Sequence, residues 1–254
     1  MVHSISVIIF THNSQYDIEE CISSARLLSD TIHVIDMEST DKTQEIAQAH
    51  DAHVFSFPYQ TFVEPSRTFG IHTAKTDWVF ILDADERITK ELADECLIKI
   101  QNTSFAFFKV PRKNIFGKTQ WLRHGGWWPD YQTRIIRTSA FVAWPKRIHA
   151  VPTIKGSGAT LVQPILHYFH GDIEQMVNKT IVFESIESNL LCAANRNANT
   201  RIFFRKYFGE LWRRLFKNQG FRDGIFGIIE SVYQAYSKTI TYLFLYEKKI
   251  SRSV

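Results

Sequence analysis

Residues Trp78 to Glu86 read WVFILDADE. The unbroken apolar run Trp78-Val79-Phe80-Ile81-Leu82 is the pattern of a strand buried on both faces, as in a parallel sheet covered by helices. The run stops at Asp83-Ala84-Asp85-Glu86. Two carboxylates two residues apart at a strand end point the same way. They form a hard oxygen site suited to Mg2+ or Mn2+, one usually completed by diphosphate oxygens. The competing reading is an acidic turn ahead of a helix cap at Thr89.

Upstream, short apolar runs alternate with helical patterns. Ser4–Phe10 reads as a buried strand, and 16–28 as a helix with Ile18, Cys21, Ile22 and Ala25 at helical spacing. Strands over 31–35 and 52–55 flank a helix over 43–50 that Ser39-Thr40-Asp41 can cap. A helix over 64–73 precedes WVFIL, and another over 90–100 follows Thr89. This alternation predicts an α/β fold with a mostly parallel sheet and helices on both faces. Such sheets bind ligands beyond the carboxyl ends of their strands. The residues there are Thr11-His12-Asn13 after the first strand and Asp36 to Asp41 after the second. Asp36 suits a hydrogen bond from a base or ribose hydroxyl, or else simply makes a turn. Arg67 can neutralise a phosphate or lie on a solvated helix face.

Downstream, 103–170 changes character. A strand over 105–110 leads into a stretch rich in Trp, Arg and Gly, which reads as irregular strands and loops walling a cleft. A last strand is expected over 165–170, followed by helices over about 172–195, 200–217 and 221–247.

The 254 residues are 44% apolar and 22% charged, the balance of a folded globular chain. Three scattered cysteines, Cys21, Cys96 and Cys192, exclude a disulfide scaffold or cysteine zinc site and fit a reducing compartment. The apolar run Ile5–Phe10 has no basic leader or cleavage site and does not read as a signal peptide. No apolar stretch reaches the roughly 18 residues of a membrane span. Residues 196–254 hold 12 Lys/Arg and 4 Asp/Glu, a net of +8, so the other 195 sum to 4 − 8 = −4. An acidic body with a basic tail predicts an anionic partner for the tail.

In order and spacing, VIIFTHNS (7–14), VIDMESTDKT (34–43) and EPSRTFGIHTAKTDWVFILDADE (64–86) resemble family 2 glycosyltransferases of the GT-A fold. The runs RKNIFGKTQWLRHGGWWPDYQTRIIR (112–137), ILHYFHGD (165–172) and GFRDGIFGIIES (220–231) resemble the bacterial lipopolysaccharide-core beta-glucosyltransferase branch. The resemblance implies a Rossmann-like GT-A catalytic domain over 1–170, with a nucleotide-sugar half (1–102) and an acceptor half (103–170), and a C-terminal helical extension over 171–254. It implies a UDP-sugar donor, UDP-glucose in this branch, a divalent metal, and inversion at the anomeric carbon. By position, Thr11, Asn13 and Asp36 line the nucleoside side, Arg67 lies near the base or diphosphate, and Asp83 approaches the ribose. Ala84 separates Asp83 from Asp85, which binds the metal with Glu86 beside it. Two departures fall here: Arg67-Thr68 where the family often has Arg-Asn, and Met37 where it often has a small residue or second acid.

Inversion needs a base to deprotonate the acceptor hydroxyl, and a carboxylate suits that task. Asp130 occupies the place of the family's acidic base; the alternative is an Asp closing a Trp-Pro turn. Trp127 and Trp128 suit stacking on a sugar acceptor, Arg134 and Arg137 suit acceptor phosphates or flank a strand, and His149 suits the acceptor wall. A third metal ligand, beside Asp85 and Asp83, is sought at the last strand, where His167 is preferred to His170. In the tail, FFRKYFGELWRRL (203–215) sets aromatics among cations at helical spacing. Such a basic amphipathic helix can lie on a membrane, which here means peripheral contact at the inner face of the cytoplasmic membrane and a glycan or lipid-linked acceptor. Packing on a protein is the alternative. No nucleic-acid motif accompanies the charge. The rival functions are sugar transfer to a polyprenyl phosphate and a non-catalytic sugar-nucleotide or glycan-binding subunit.

Overall fold

The computed structural model describes residues 3–169 and 173–251. The chain divides into two units, Met1–Lys113 with Asp130–His167, and Asn114–Pro129 with Tyr168–Val254.

The first unit is built on β1 (Ile5–Thr11), β2 (Ile32–Asp36), β3 (His53–Ser56) and β4 (Trp78–Asp83), which are parallel and ordered β3-β2-β1-β4. Beyond β4 the sheet becomes mixed. β8 (Asp130–Arg137) runs antiparallel to β4, and β6 (Phe107–Phe116) antiparallel to β8. β12 (Ile165–Phe169) and the two-residue β5 (Glu86–Arg87) complete the order as an antiparallel pair. The short β7 (Gln120–Trp121) and β11 (Gly158–Thr160) pair with β6, and β9 (Phe141–Ala143) with β10 (Thr153–Ile154) form a separate ribbon. The stretch expected as irregular strands thus supplies the antiparallel part of the sheet. His170, weighed as a metal ligand, lies outside the described residues, as do Gly171 and Asp172.

Alternate residues of the central strands enter different cores. Val7, Ile9, Trp78, Phe80 and Leu82 pack with Ile18, Cys21, Ile22 and Ala25 of α1 (Ile18–Ala25), Ala47 of α2 (Thr43–Ala49), and Leu92, Ala93 and Cys96 of α4 (Lys90–Gln101). Ile8, Phe10, Val79 and Ile81 pack on the other face with Ile71 of α3 (Glu64–Thr73) and with Trp144. This two-sided burial is why the strands read as continuous apolar runs. Each large side chain buried there contributes about 1.5–3 kcal/mol. α3 lies so close to the sheet that a Cβ on Gly70 would fall 2.6 Å from Phe10 Cζ. Asp41 receives the Thr43 backbone N–H at 3.0 Å at the start of α2, and Thr89 receives that of Leu92 at 3.2 Å in α4. All three cysteines are buried and free.

The second unit holds α5 (Ile173–Ala193), α6 (Thr200–Trp212) and α7 (Gly224–Ile250). α6 opens at an Asn199 cap, whose Oδ1 receives the Ile202 N–H at 2.9 Å, and runs into a wider turn over Arg213–Lys217. Its Asn114–Pro129 segment is tied down by Asp223, whose carboxylate accepts the N–H groups of Arg123 and His124 and faces His124 Nδ1 at 2.7 Å. No helix among the described residues is long and apolar enough to cross a membrane.

Candidate active site

Strand register assembles the site. Thr11, the last residue of β1, stands opposite Asp36, the last of β2, and Phe10 stands opposite Asp83, the last of β4. The carboxyl edge of the parallel sheet therefore carries Thr11 and Asp36 in register on the face of Val7 and Ile9, and Asp83 in register with Phe10 on the other face. Asp36 is fully buried. Its Oδ2 accepts from the Ser39 N–H at 3.0 Å and from Gln44 Nε2 at 2.5 Å, whereas Oδ1 has no hydrogen-bond partner among the described residues. Thr11 Oγ1 is buried without a partner as well. Asn13, exposed and at φ 49°, receives the Thr40 N–H on Oδ1 at 2.8 Å and gives its own N–H to Ser39 Oγ at 2.8 Å. It holds the loop that follows Asp36.

Three guanidinium groups and three carboxylates meet at the end of β4. Arg67, 4% exposed on α3, places Nη2 2.6 Å from Asp83 Oδ1, with its guanidinium carbon 4.5 Å from the Phe10 ring centre and 5.4 Å from that of Trp144. Thr68 receives the Trp144 N–H at 2.9 Å, which fixes that aromatic wall. Arg134 on β8 lies 3.0 Å from Asp83 Oδ2 and also contacts Glu86 Oε1. Glu86 is fully buried, and its Oε2 accepts the Asp83 N–H at 3.0 Å. Arg112 on β6 pairs with Asp130 Oδ2 at 2.7 Å and approaches Glu86 Oε1 at 3.6 Å, while Gln132 donates to Asp130 Oδ1 at 2.6 Å. Arg87 closes the acidic turn by donating to the carbonyl of Ala84 at 2.8 Å.

The buried charges shift one another. Burial raises the pKa of Asp83, but Arg67 and Arg134 outweigh it and hold the carboxyl well below its usual range. Burial pushes Glu86 up and the charge of Asp83 adds to this, with Arg134 and Arg112 opposing. Burial lowers Arg67 and the neighbouring Arg134 lowers it further, yet an arginine keeps its charge. For Arg134 burial acts downward, and Glu86 with Asp83 drives the net shift upward. Among the described residues, two donors buried on Arg67, Nε and Nη1, have no partner.

Asp85 follows this cluster in the acidic turn, with its side chain 36% exposed and His167 Nε2 3.5 Å from its Oδ2. The antiparallel pairing of β12 with β5, His167 opposite Glu86, brings them together. Among the described residues no group of three or more His, Cys, Asp or Glu side chains is placed to hold a metal ion. The chain offers two donors at Asp85 and His167, while both oxygens of Asp83 face arginines. That set fits Mg2+ or Mn2+ where substrate phosphates and water complete the shell.

Arg134 is 4% exposed, its Nη2 is engaged by Asp83 and Glu86, and its buried Nε has no partner among the described residues. Arg137 donates to the Thr103 carbonyl at 2.8 Å. The backbone N–H of His149 binds Glu64 at 2.8 Å. Trp127 and Trp128 belong to the second unit, where Trp127 packs on Phe169 with ring centres 5.0 Å apart and Trp128 packs on Trp121 at 5.4 Å. Sequence reasoning missed Arg112, Gln44 and the inward pairing of Arg134. The register of β6 with β8, which sets Arg112 opposite Asp130, is the signal that could have found the first.

The family model described as Glycosyl transferase family 2 matches residues 6–152, more than half of the chain. An uncharacterized glycosyltransferase of Rickettsia bellii is 39% identical over 95 residues, 37% of this chain and 32% of its own length. One of Rickettsia conorii is 36% identical over 95 residues, 37% of this chain and 33% of its own. The chain spans about a third of the length of these curated relatives. Glucosyl-3-phosphoglycerate synthase from Mycobacterium tuberculosis, solved in complex with phosphoglyceric acid, superposes with a TM-score of 0.51 at 14% identity, covering 78% of this chain and 82% of that one. That likeness is one of fold: the mixed, mostly parallel sheet covered by helices is GT-A-like, with a C-terminal helical region. The chain belongs to glycosyl transferase family 2.

Proposed function

We propose that this family 2 member is an inverting, divalent-metal-dependent glycosyltransferase. It transfers a hexose, glucose from UDP-glucose, to a lipopolysaccharide-core or other cell-envelope glycan. The carrying observation is the set of buried polar atoms without partners along one sheet edge: Thr11 Oγ1, Asp36 Oδ1, and Nε and Nη1 of Arg67. Burying such atoms unsatisfied costs about 1–3 kcal/mol each. A nucleoside diphosphate supplies what they lack. A base or ribose donor meets Asp36 and Thr11, with Asn13 holding the adjoining loop, and phosphate oxygens meet Arg67.

Asp83 keeps lone pairs for a ribose hydroxyl, with its carboxylate fixed by two arginines. Ala84 spaces the acids, its N–H bonded to the Phe10 carbonyl at 3.2 Å. Asp85 and His167 would hold a divalent ion, which would supply Lewis-acid stabilisation of the leaving group. Asp130, oriented by Arg112 and Gln132, takes the proton of the acceptor hydroxyl as that oxygen attacks the anomeric carbon from the face opposite the diphosphate, whose C1–O bond breaks to release UDP. Candidate acceptor contacts are Trp127, Trp128 and His149. The basic C-terminal helices keep the chain peripheral at the inner face of the cytoplasmic membrane, where a lipid-linked acceptor is confined.

The test is transfer from radiolabelled UDP-glucose to cell-envelope glycans, with Asp130→Asn alongside. The expected result is labelled glycan with the wild type, a loss of about 10²–10⁴ in rate with the variant, and unchanged UDP affinity. Label that partitions with polyprenyl lipid moves the acceptor to polyprenyl phosphate. UDP binding without transfer to any acceptor, unaltered by Asp130→Asn, points to a binding subunit.

A further inference from the structure

α7 buries polar side chains beside Ala235, Ile240 and Leu245 and turns apolar ones outward. It buries Glu230, Ser231, Ser237, Thr239 and Thr241. Against α5, Ser237 donates to Glu184 at 2.5 Å and Thr241 donates to the same carboxylate, while the Thr180 and Tyr233 hydroxyls meet at 2.6 Å. Outward it shows Ile225, Ile228, Ile229, Val232, Tyr236 and Leu243, which are 41 to 62% exposed. A helix facing water has the reverse arrangement. An apolar face of this extent marks an interaction surface.

Beside this face lies a cavity of about 570 Å³ between the end of α5, the start of α6 and α7. Asn195, Arg196, Asn197, Arg205, Lys206 and Tyr242 contribute to its wall, which contains no carboxylate. Among the described residues neither Arg196 nor Arg205 forms an ion pair, and Lys206 Nζ sits 5.3 Å from the Tyr242 ring centre. Tyr242 also lines a second cavity of about 250 Å³, an apolar groove with Phe203, Phe204, Leu243 and Tyr246. A cationic cup therefore continues into an aromatic groove at the exposed apolar face.

We propose that cup and groove together bind one anionic phospholipid of a bilayer surface, its phosphate on Arg196, Arg205 and Lys206 and its upper acyl chain in the aromatic groove. The proposal rests on the membrane-contact reading above and gives it a defined site. Charge selects this occupant over a second copy of the chain. Residues 196–254 carry a net +8, so two copies meeting here set cation against cation, whereas anionic headgroups offset it.

The experiment is co-sedimentation of the full chain with phosphatidylcholine vesicles and with vesicles that also contain phosphatidylglycerol. The wild type is compared with Arg196→Gln/Arg205→Gln/Lys206→Gln and with Arg201→Gln/Lys217→Gln/Arg222→Gln, which removes equal charge outside the cup. A cation at an anionic surface is worth about fivefold in partition, so the cup variant is expected to lose roughly a hundredfold and the control far less. Leu243→Asn is expected to weaken partition with all charges intact. Equal losses in the two triple variants overturn the site and leave diffuse membrane contact standing. Equal wild-type partition into the two vesicle types overturns the lipid assignment, as does saturable calorimetric binding of inorganic phosphate without preference for anionic vesicles. No partition into either vesicle type overturns both this site and the membrane reading, while transfer to a soluble glycan is unaffected.

Discussion

Replacing Arg134 by Met tests whether the arginine–carboxylate cluster is structural. Arg67, Arg112 and Arg134 face Asp83, Glu86 and Asp130, so the formal charges cancel. Among the described residues, Arg134→Met leaves fully buried Glu86 with Arg112 at 3.6 Å as its one arginine partner. Breaking a buried pair from one side costs about 3–5 kcal/mol. In a chain of this size each kcal/mol moves Tm by roughly 2–4 °C, so a fall of about 10 °C is expected by thermal denaturation. Glu86→Gln in the same background removes the orphaned charge while keeping a carbonyl oxygen to accept the Asp83 N–H, and should recover about half the loss. Urea titration of the wild type, Arg134→Met, Glu86→Gln alone and the double variant gives the coupling energy. Singles that each cost under about 1 kcal/mol and simply add would refute the cluster as a coupled unit. A normal Tm with a raised acceptor KM would instead restore Arg134 to the acceptor role its position in the sequence suggests.

Glu230 gives a pH prediction. Burial raises its carboxyl to about 7, against the opposing Gln234 hydrogen bond and Arg214 charge. Between the unfolded value near 4.5 and about 7 the folded state binds the extra proton, so stability falls as pH rises through that window. The loss totals about 3 kcal/mol, and Glu230→Gln should flatten the Tm-versus-pH curve between those limits; an unchanged curve contradicts the assignment. Gly70→Ala places a methyl 2.6 Å from Phe10 Cζ and 2.9 Å from Ile35 Cγ1. It should cost about 1–3 kcal/mol and, by lifting α3 and Arg67 with it, weaken UDP binding. Thr89→Ala removes the α4 cap and should cost about 1 kcal/mol by urea unfolding, with UDP affinity intact.

The parallel half of the sheet was legible because strands buried on both faces are written as uninterrupted apolar runs, and the acidic turn stands out where such a run ends. Thr11, Asp36 and Asp83 could be picked for the same reason, since strand ends in this architecture share one edge. The arginine cluster was not legible. Arg134 and Glu86 lie 48 positions apart, and nothing local says that β8 inserts beside β4 with Arg134 turned inward. Asp85 and His167 meet only through the two-residue pairing of β5 with β12, too short to leave a periodic signal. In the tail the helices were legible from spacing. The direction of α7 was not, because buried serines and threonines that bond to Glu184 look in sequence like a solvated face.

Calorimetric titration of UDP tests the central claim most directly, with Mn2+ and then with EDTA, in the wild type, Asp36→Ala and Asp85→Ala. The account predicts saturable binding with Mn2+, weakened by EDTA and by Asp85→Ala to a similar extent, and weakened by Asp36→Ala with or without metal. Absence of UDP binding in every condition, or binding untouched by both substitutions, would contradict a donor site on this edge of the sheet.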